Sequence, residues 1–120
     1  MSYRVDYYDA FNHELEAEFG PYATLDEALA CIRDRIRSAI LAMDEEDTHR
    51  VIEVGPEGPV TRPRRGFDAE ARLAAWTHFG QRPTVLAVGA PDPWVAVDVD
   101  ALAAEVCAAI AAERSTNGGA

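Results

Sequence analysis

A chain of 120 residues with 48% hydrophobic and 27% charged side chains fits one ordinary globular domain, and global disorder is excluded. Its formal net charge of −10, from 21 acidic and 11 basic residues, creates a field that repels phosphate backbones and anionic membranes and speeds encounter with basic partners. Generic nucleic-acid or membrane binding is therefore not expected, and a basic protein partner is.

Every basic residue is arginine and alanine is abundant, the codon signature of a GC-rich genome. Cys31 and Cys107 lie far apart and form no CxxC pair, so a disulfide-stapled secreted scaffold is not indicated. The first residues, Met1 to Asp6, lack the apolar run of a signal peptide, and no stretch approaches the ~20 apolar residues that span a bilayer, so a cytoplasmic location is expected.

Residues 3–9 alternate, with Tyr3, Val5 and Tyr7 on one face and Arg4, Asp6 and Tyr8 on the other. Residues 13–19 do the same, with Leu15, Ala17 and Phe19 against Glu14, Glu16 and Glu18. Period-two alternation marks half-buried strands, and the turn residues Asp9 to Asn12 between them make a hairpin. Gly20-Pro21 is read as the end of the second strand. Thr24 and Glu27 then form a capping box for a helix over 25–44, with Leu25, Leu29, Ile32, Ile36, Ile40 and Met43 on its core stripe.

Residues 50–54 read as a strand, 55–59 as a turn, and 60–62 as a short returning edge strand. Asp68 is placed as the cap of a second helix whose inner side carries Ala69, Leu73, Trp76 and Phe79, with Gly80 as its left-handed terminator. The apolar run Thr84 to Val88 suggests a central strand, and Trp94 to Val97 another. Asp98 or Asp100 caps a final helix with Val99, Leu102, Val106 and Ile110 inward. Residues 115–120 are expected to form a polar, disordered tail.

Hairpin-then-helix thus recurs over 3–44, 50–80 and 84–114. The expected fold is a single α+β domain over 1–114, with a mostly antiparallel sheet of about five to six strands and three helices packed on one face. The uncovered sheet face is the natural place for function. It would show Asp6, Tyr8, Glu14, Glu16 and Glu18, and Trp94, at a strand start after Pro91-Asp92-Pro93, would join them as a partner contact.

Other features weigh less. The acidic run Asp44-Glu45-Glu46-Asp47 with His49 lacks the D-x-D-x-D-G spacing of a calcium loop and reads as a charged connector. Arg62, Arg64 and Arg65 precede a helix N-terminus and would be the anion contacts of a ligand site. His13, His49 and His78 show no HxxxH spacing, and Cys31 and Cys107 read as small hydrophobes beside helix stripes. No GxSxG elbow, P-loop or GxGxxG fingerprint occurs, so nothing points to catalysis, a metal or a cofactor.

The reading is a non-enzymatic acidic interaction protein, such as an immunity- or antitoxin-like inhibitor or an adaptor, docking a basic protein. The alternative is a small-molecule binding domain or small enzyme with an anionic ligand on the open sheet face, held by Arg62, Arg64 or Arg65 with Trp94 as a wall. A homodimer covering that face is the third expectation.

Overall fold

The computed structural model of the chain describes residues 1–43 and 69–117. The elements run β1 (Ser2–Tyr8), β2 (Leu15–Tyr22), α1 (Leu25–Ala42), α2 (Ala69–Phe79), β3 (Arg82–Val88), β4 (Trp94–Val95) and α3 (Val99–Asn117). The strands form one antiparallel sheet in the order β2-β1-β3-β4. The α+β class and the three helices match the sequence reading. Four strands are present among the described residues instead of five or six, because the two strands read over 50–54 and 60–62, like the Asp68 cap, lie outside them.

β1 pairs with β3 in unbroken register from Ser2↔Val88 to Tyr8↔Arg82. Val5, Tyr7 and Val85 point to one face and meet all three helices there. Ala28, Ile32, Ile36 and Ile40 come from α1, Trp76 from α2, and Leu102, Ala103, Val106, Cys107 and Ile110 from α3. The i, i+4 spacing of the α1 isoleucines sets them on one line over the sheet. The α1 cap forms as expected: Thr24 Oγ1 accepts from Glu27 N at 3.2 Å, and Glu27 Oε2 accepts from Ala23 N at 2.9 Å. At the other end Arg72 Nη1 donates to Ile40 O at 2.7 Å, tying α2 to the carbonyl end of α1. Asp98 caps α3, its Oδ1 accepting from Ala101 N at 3.0 Å.

Three local expectations are corrected. Gly20-Pro21 does not end β2. The strand continues to Tyr22, and the two residues together oppose Arg4, since Val5 pairs with Phe19 and Tyr3 with Tyr22. An edge strand tolerates such a bulge and the missing proline donor. Gly20 itself has φ +127, and a Cβ there would lie 2.8 Å from Tyr3 O. Second, Gly80 is not a left-handed terminator, as only Gly20 and Gly89 among the described glycines have positive φ. Its N–H donates to Trp76 O at 2.7 Å, and a Cβ would come within 2.7 Å of the indole. Gly80 is therefore required by close approach. Trp76 is buried and cannot retreat. Gly80→Ala is expected to cost about 1–3 kcal/mol in a urea melt, by overpacking. Third, Phe79 is not in the core stripe of α2, whose buried residues are Ala71, Ala75 and Trp76. Phe79 is partly exposed beside the β1–β2 turn.

No helix among the described residues is long and apolar enough to cross a membrane.

Candidate functional site

The sheet face turned away from the helices is built around Asp6. Across β1 the row runs Arg4, Asp6, Tyr8; Glu18 of β2 and Thr84 of β3 stand opposite Asp6, and Leu86 opposite Arg4, with Trp94 beyond it. Asp6 is only 2% exposed. Its carboxylate takes a fork from Arg4, Nε to Oδ1 at 2.8 Å and Nη2 to Oδ2 at 3.0 Å. The hydrogen bond and the charge of Asp6 hold the Arg4 guanidinium above its ordinary pKa, with smaller help from Glu18 and Tyr8. Asp6 is thus satisfied internally and offers no free charge to a partner.

The acidic surface sits instead along β2 and the turn before it. The turn is fixed by its own side chains. Asp9 Oδ1 accepts from Phe11 N at 2.8 Å and Asn12 N at 2.9 Å, and Asn12 Oδ1 accepts from Glu14 N at 2.9 Å. The Asn12 and Phe11 amides hold the Asp9 carboxyl below its ordinary pKa. His13 takes φ 59, and its amide donates to Asp9 O. This locked turn carries Phe11, 65% exposed, whose ring meets that of Phe79 at 5.9 Å, tilted by 49°; His78 meets Phe79 edge-on at 4.7 Å. A second bulge sets Leu15 opposite Tyr8 instead of beside Ala17 and leaves it 49% exposed.

Glu14, Glu16 and Glu18 are exposed and make no ion pair with any described residue. The arginines that could neutralise them are held elsewhere: Arg33 by Glu105 at 3.5 Å, Arg37 by Glu113 at 2.7 Å, Arg82 by Asp100 at 3.0 Å, and Arg4 by Asp6. The result is an exposed aromatic pair at the turn, with an exposed leucine and three carboxylates without an ion-pair partner among the described residues following it along β2. Trp94, 62% exposed, lies at the opposite edge of the sheet, on β4.

Between β2 and α1 lies a separate open groove of ≈ 470 Å³ lined by Phe19, Tyr22, Glu27, Ala30, Cys31, Asp34 and Arg35. Arg35 is clamped there, with Cζ 4.6 Å from the ring centres of both Tyr7 and Phe19 and Nη2 donating to Gln81 Oε1 at 3.1 Å. The two rings meet edge to face at 5.7 Å. The Tyr22 phenol faces the Cys31 sulfur, which, ahead of burial, pushes it up to about 12. Both cysteines are free thiols; Cys107 is in the core, where burial pushes its thiol up.

The structure therefore gathers Glu14, Glu16, Glu18 and Tyr8 on the hairpin, separates Trp94 from them, and seals Asp6. Arg62, Arg64, Arg65, the acidic run 44–47 and His49 lie outside the described residues. Among the described residues no three His, Cys, Asp or Glu side chains group as a metal site. Sequence reading passed over Phe11 and Phe79. The signal for Phe11 was an aromatic residue inside a turn of otherwise polar type. For Phe79 there was none, since its helical spacing from Trp76 mimics a core position. A comparison with protein-family models, with curated proteins and with solved structures finds no match.

Proposed function

We propose that the protein is a non-enzymatic interaction module that docks a basic protein on its β1–β2 hairpin, as a small acidic inhibitor or adaptor would. The observation that carries this reading is the turn pinned by Asp9 and Asn12, which presents Phe11 at the end of a strand whose exposed Glu14, Glu16 and Glu18 make no ion pair with any described residue. Interfaces draw their energy from a few aromatic anchors and their encounter rate and specificity from complementary charge. Phe11, in tilted contact with Phe79, is such an anchor, and the turn backbone that carries it is already pinned, so less ordering entropy is lost on binding. The charges of Asp6 and Glu18 oppose one another across the β1–β2 pair, and the Arg4 guanidinium forked onto Asp6 offsets part of that repulsion.

The test is a pull-down of the tagged chain from its native cells at low salt, followed by titration of the recovered partner. A basic protein captured one to one, and released by salt, is the expected result. Glu14→Gln, Glu16→Gln and Glu18→Gln together should weaken the complex by about 10-fold or more and flatten its salt dependence. Phe11→Ala should weaken it about 10-fold with the salt dependence unchanged. Unchanged affinity in both variants would rule out the hairpin as the docking surface.

A further inference from the structure

The groove between β2 and α1 carries donors that lack acceptors. Arg4, Arg33, Arg37 and Arg82 are each held by a carboxylate, whereas Arg35 has no carboxylate partner among the described residues, and a single hydrogen bond to Gln81 leaves most of its five donors open. The stack between Tyr7 and Phe19 fixes the guanidinium in place, so its open N–H groups are preorganised. Tyr7 is 2% exposed, and among the described residues its hydroxyl proton has no acceptor; the only side chain placed to hydrogen-bond the oxygen, Arg35, can only donate. Tyr7 does not itself line the groove; its ring packs under Arg35, and its hydroxyl is within electrostatic reach of Cys31, Arg35 and Tyr22, which do. A buried donor without an acceptor is rare enough in folded proteins to call for an explanation.

The walls narrow the choice of ligand. Phe19, Tyr22 and Ala30 offer apolar and aromatic surface along a shallow, open groove that covers one side of a small organic molecule. Glu27 and Asp34 also line the groove, and their charge opposes a multiply charged anion such as phosphate. Glu27 is in addition engaged by the Ala23 amide, which leaves it little freedom to turn inward and neutralise Arg35. We infer that the groove binds a small organic monocarboxylate with an apolar or aromatic body, its carboxylate taken by the Arg35 guanidinium and by the Tyr22 hydroxyl, which exchanges the Cys31 sulfur for it, with the Tyr7 hydroxyl as the donor behind them. The body of the ligand lies along Phe19 and Ala30. This site is distinct from the hairpin surface and does not depend on its reading.

The test uses the full chain, labelled with ¹⁵N and titrated with 3-phenylpropionate. Saturable amide shifts confined to Phe19, Tyr22, Cys31, Arg35 and their neighbours, with Kd near 1 mM or below, are the expected result. The neutral 3-phenylpropanamide should bind at least about 10-fold more weakly, because it cannot form the charged fork with Arg35. Arg35→Gln should cost a similar factor, and Tyr22→Phe, which keeps the ring, roughly threefold. Because Arg35 also packs on two rings, its variant is compared only if its melting temperature is retained; otherwise Tyr22→Phe and the amide analogue decide. No saturable shift at these residues overturns the proposal, as does equal binding of the acid and the amide. Saturation of the same residues by inorganic phosphate at equal affinity overturns the assignment to a monocarboxylate.

Discussion

Replacing Arg4 by methionine is expected to lower the melting temperature by roughly 5–15 °C, and adding Asp6→Leu in the same chain to recover most of that loss. The single change leaves the Asp6 carboxylate 2% exposed in an inner strand, with Glu18 directly opposite and no cation to hold it. A charge stranded in this way costs more than the pair it belonged to contributed, because the pair's gain is offset by desolvation of Asp6 while Arg4 stays 43% exposed. Leucine at position 6 removes the buried charge, and methionine at position 4 packs toward Leu86 in the facing row. Circular-dichroism melts of the wild type, the two single variants and the double variant close the cycle. A melting temperature for Arg4→Met within error of wild type would mean that Asp6 is reachable by water, and it would then rejoin the acidic row that a partner meets.

Asp6 also illustrates which part of the architecture could be read in the residues. Alternation correctly placed it on the face away from the helices. It could not show that Arg4, two residues earlier on the same face, reaches back and closes on it, because that depends on how β1 sits between β2 and β3. Elements whose signal is local were legible: the Thr24 and Glu27 cap, the Ile32, Ile36 and Ile40 stripe, and the Asp98 cap are each set by residues within a turn or two of one another. Features decided by distant neighbours were not. Gly20-Pro21 carries every mark of a strand end, yet pairing with β1 absorbs it as a bulge. Phe79 has core spacing, yet the α2 face that meets the core is set by Ala71, Ala75 and Trp76, and Phe79 swings to Phe11.

The candidate sites divide in the same way. The carboxylates of β2 were visible as a charge pattern, while the groove was not. It is assembled from Phe19 and Tyr22 of β2 and Cys31 and Arg35 of α1, with Tyr7 of β1 packed behind Arg35. Only the placement of Arg35 one turn after Cys31 hinted at it, and a helix-face pair of that kind carries no information about rings on a neighbouring sheet.

Those rings lead to the second large effect, a steep loss of stability in alkali that Tyr7→Phe removes in good part. Burial, with the nearby Cys31 adding and Arg35 opposing, raises the Tyr7 phenol well above its ordinary value of 10.0. A phenol is charged only after losing its proton, so the folded chain resists ionisation that the unfolded chain accepts freely. Stability from this group is complete below pH 10, where both states are neutral. It falls as the pH rises from there toward the folded-state value, by at most about 1.4 kcal/mol per pH unit for one phenol. Tyr22, pushed up to about 12, acts in the same direction between its ordinary 10.0 and that value, but its more open setting makes its share smaller. Phenylalanine at position 7 keeps the ring under Arg35 and against Phe19 and takes away the ionisable group. At about pH 8, urea midpoints of Tyr7→Phe should equal or exceed wild type, since the lost hydroxyl had no acceptor to forfeit. At about pH 11 the variant should be clearly the more stable of the two, and the gap should widen with each further step in pH. A variant that is weaker at pH 8 and falls in parallel with wild type would mean that the hydroxyl is already satisfied within the fold, and the groove would then have no idle donor for a carboxylate to meet.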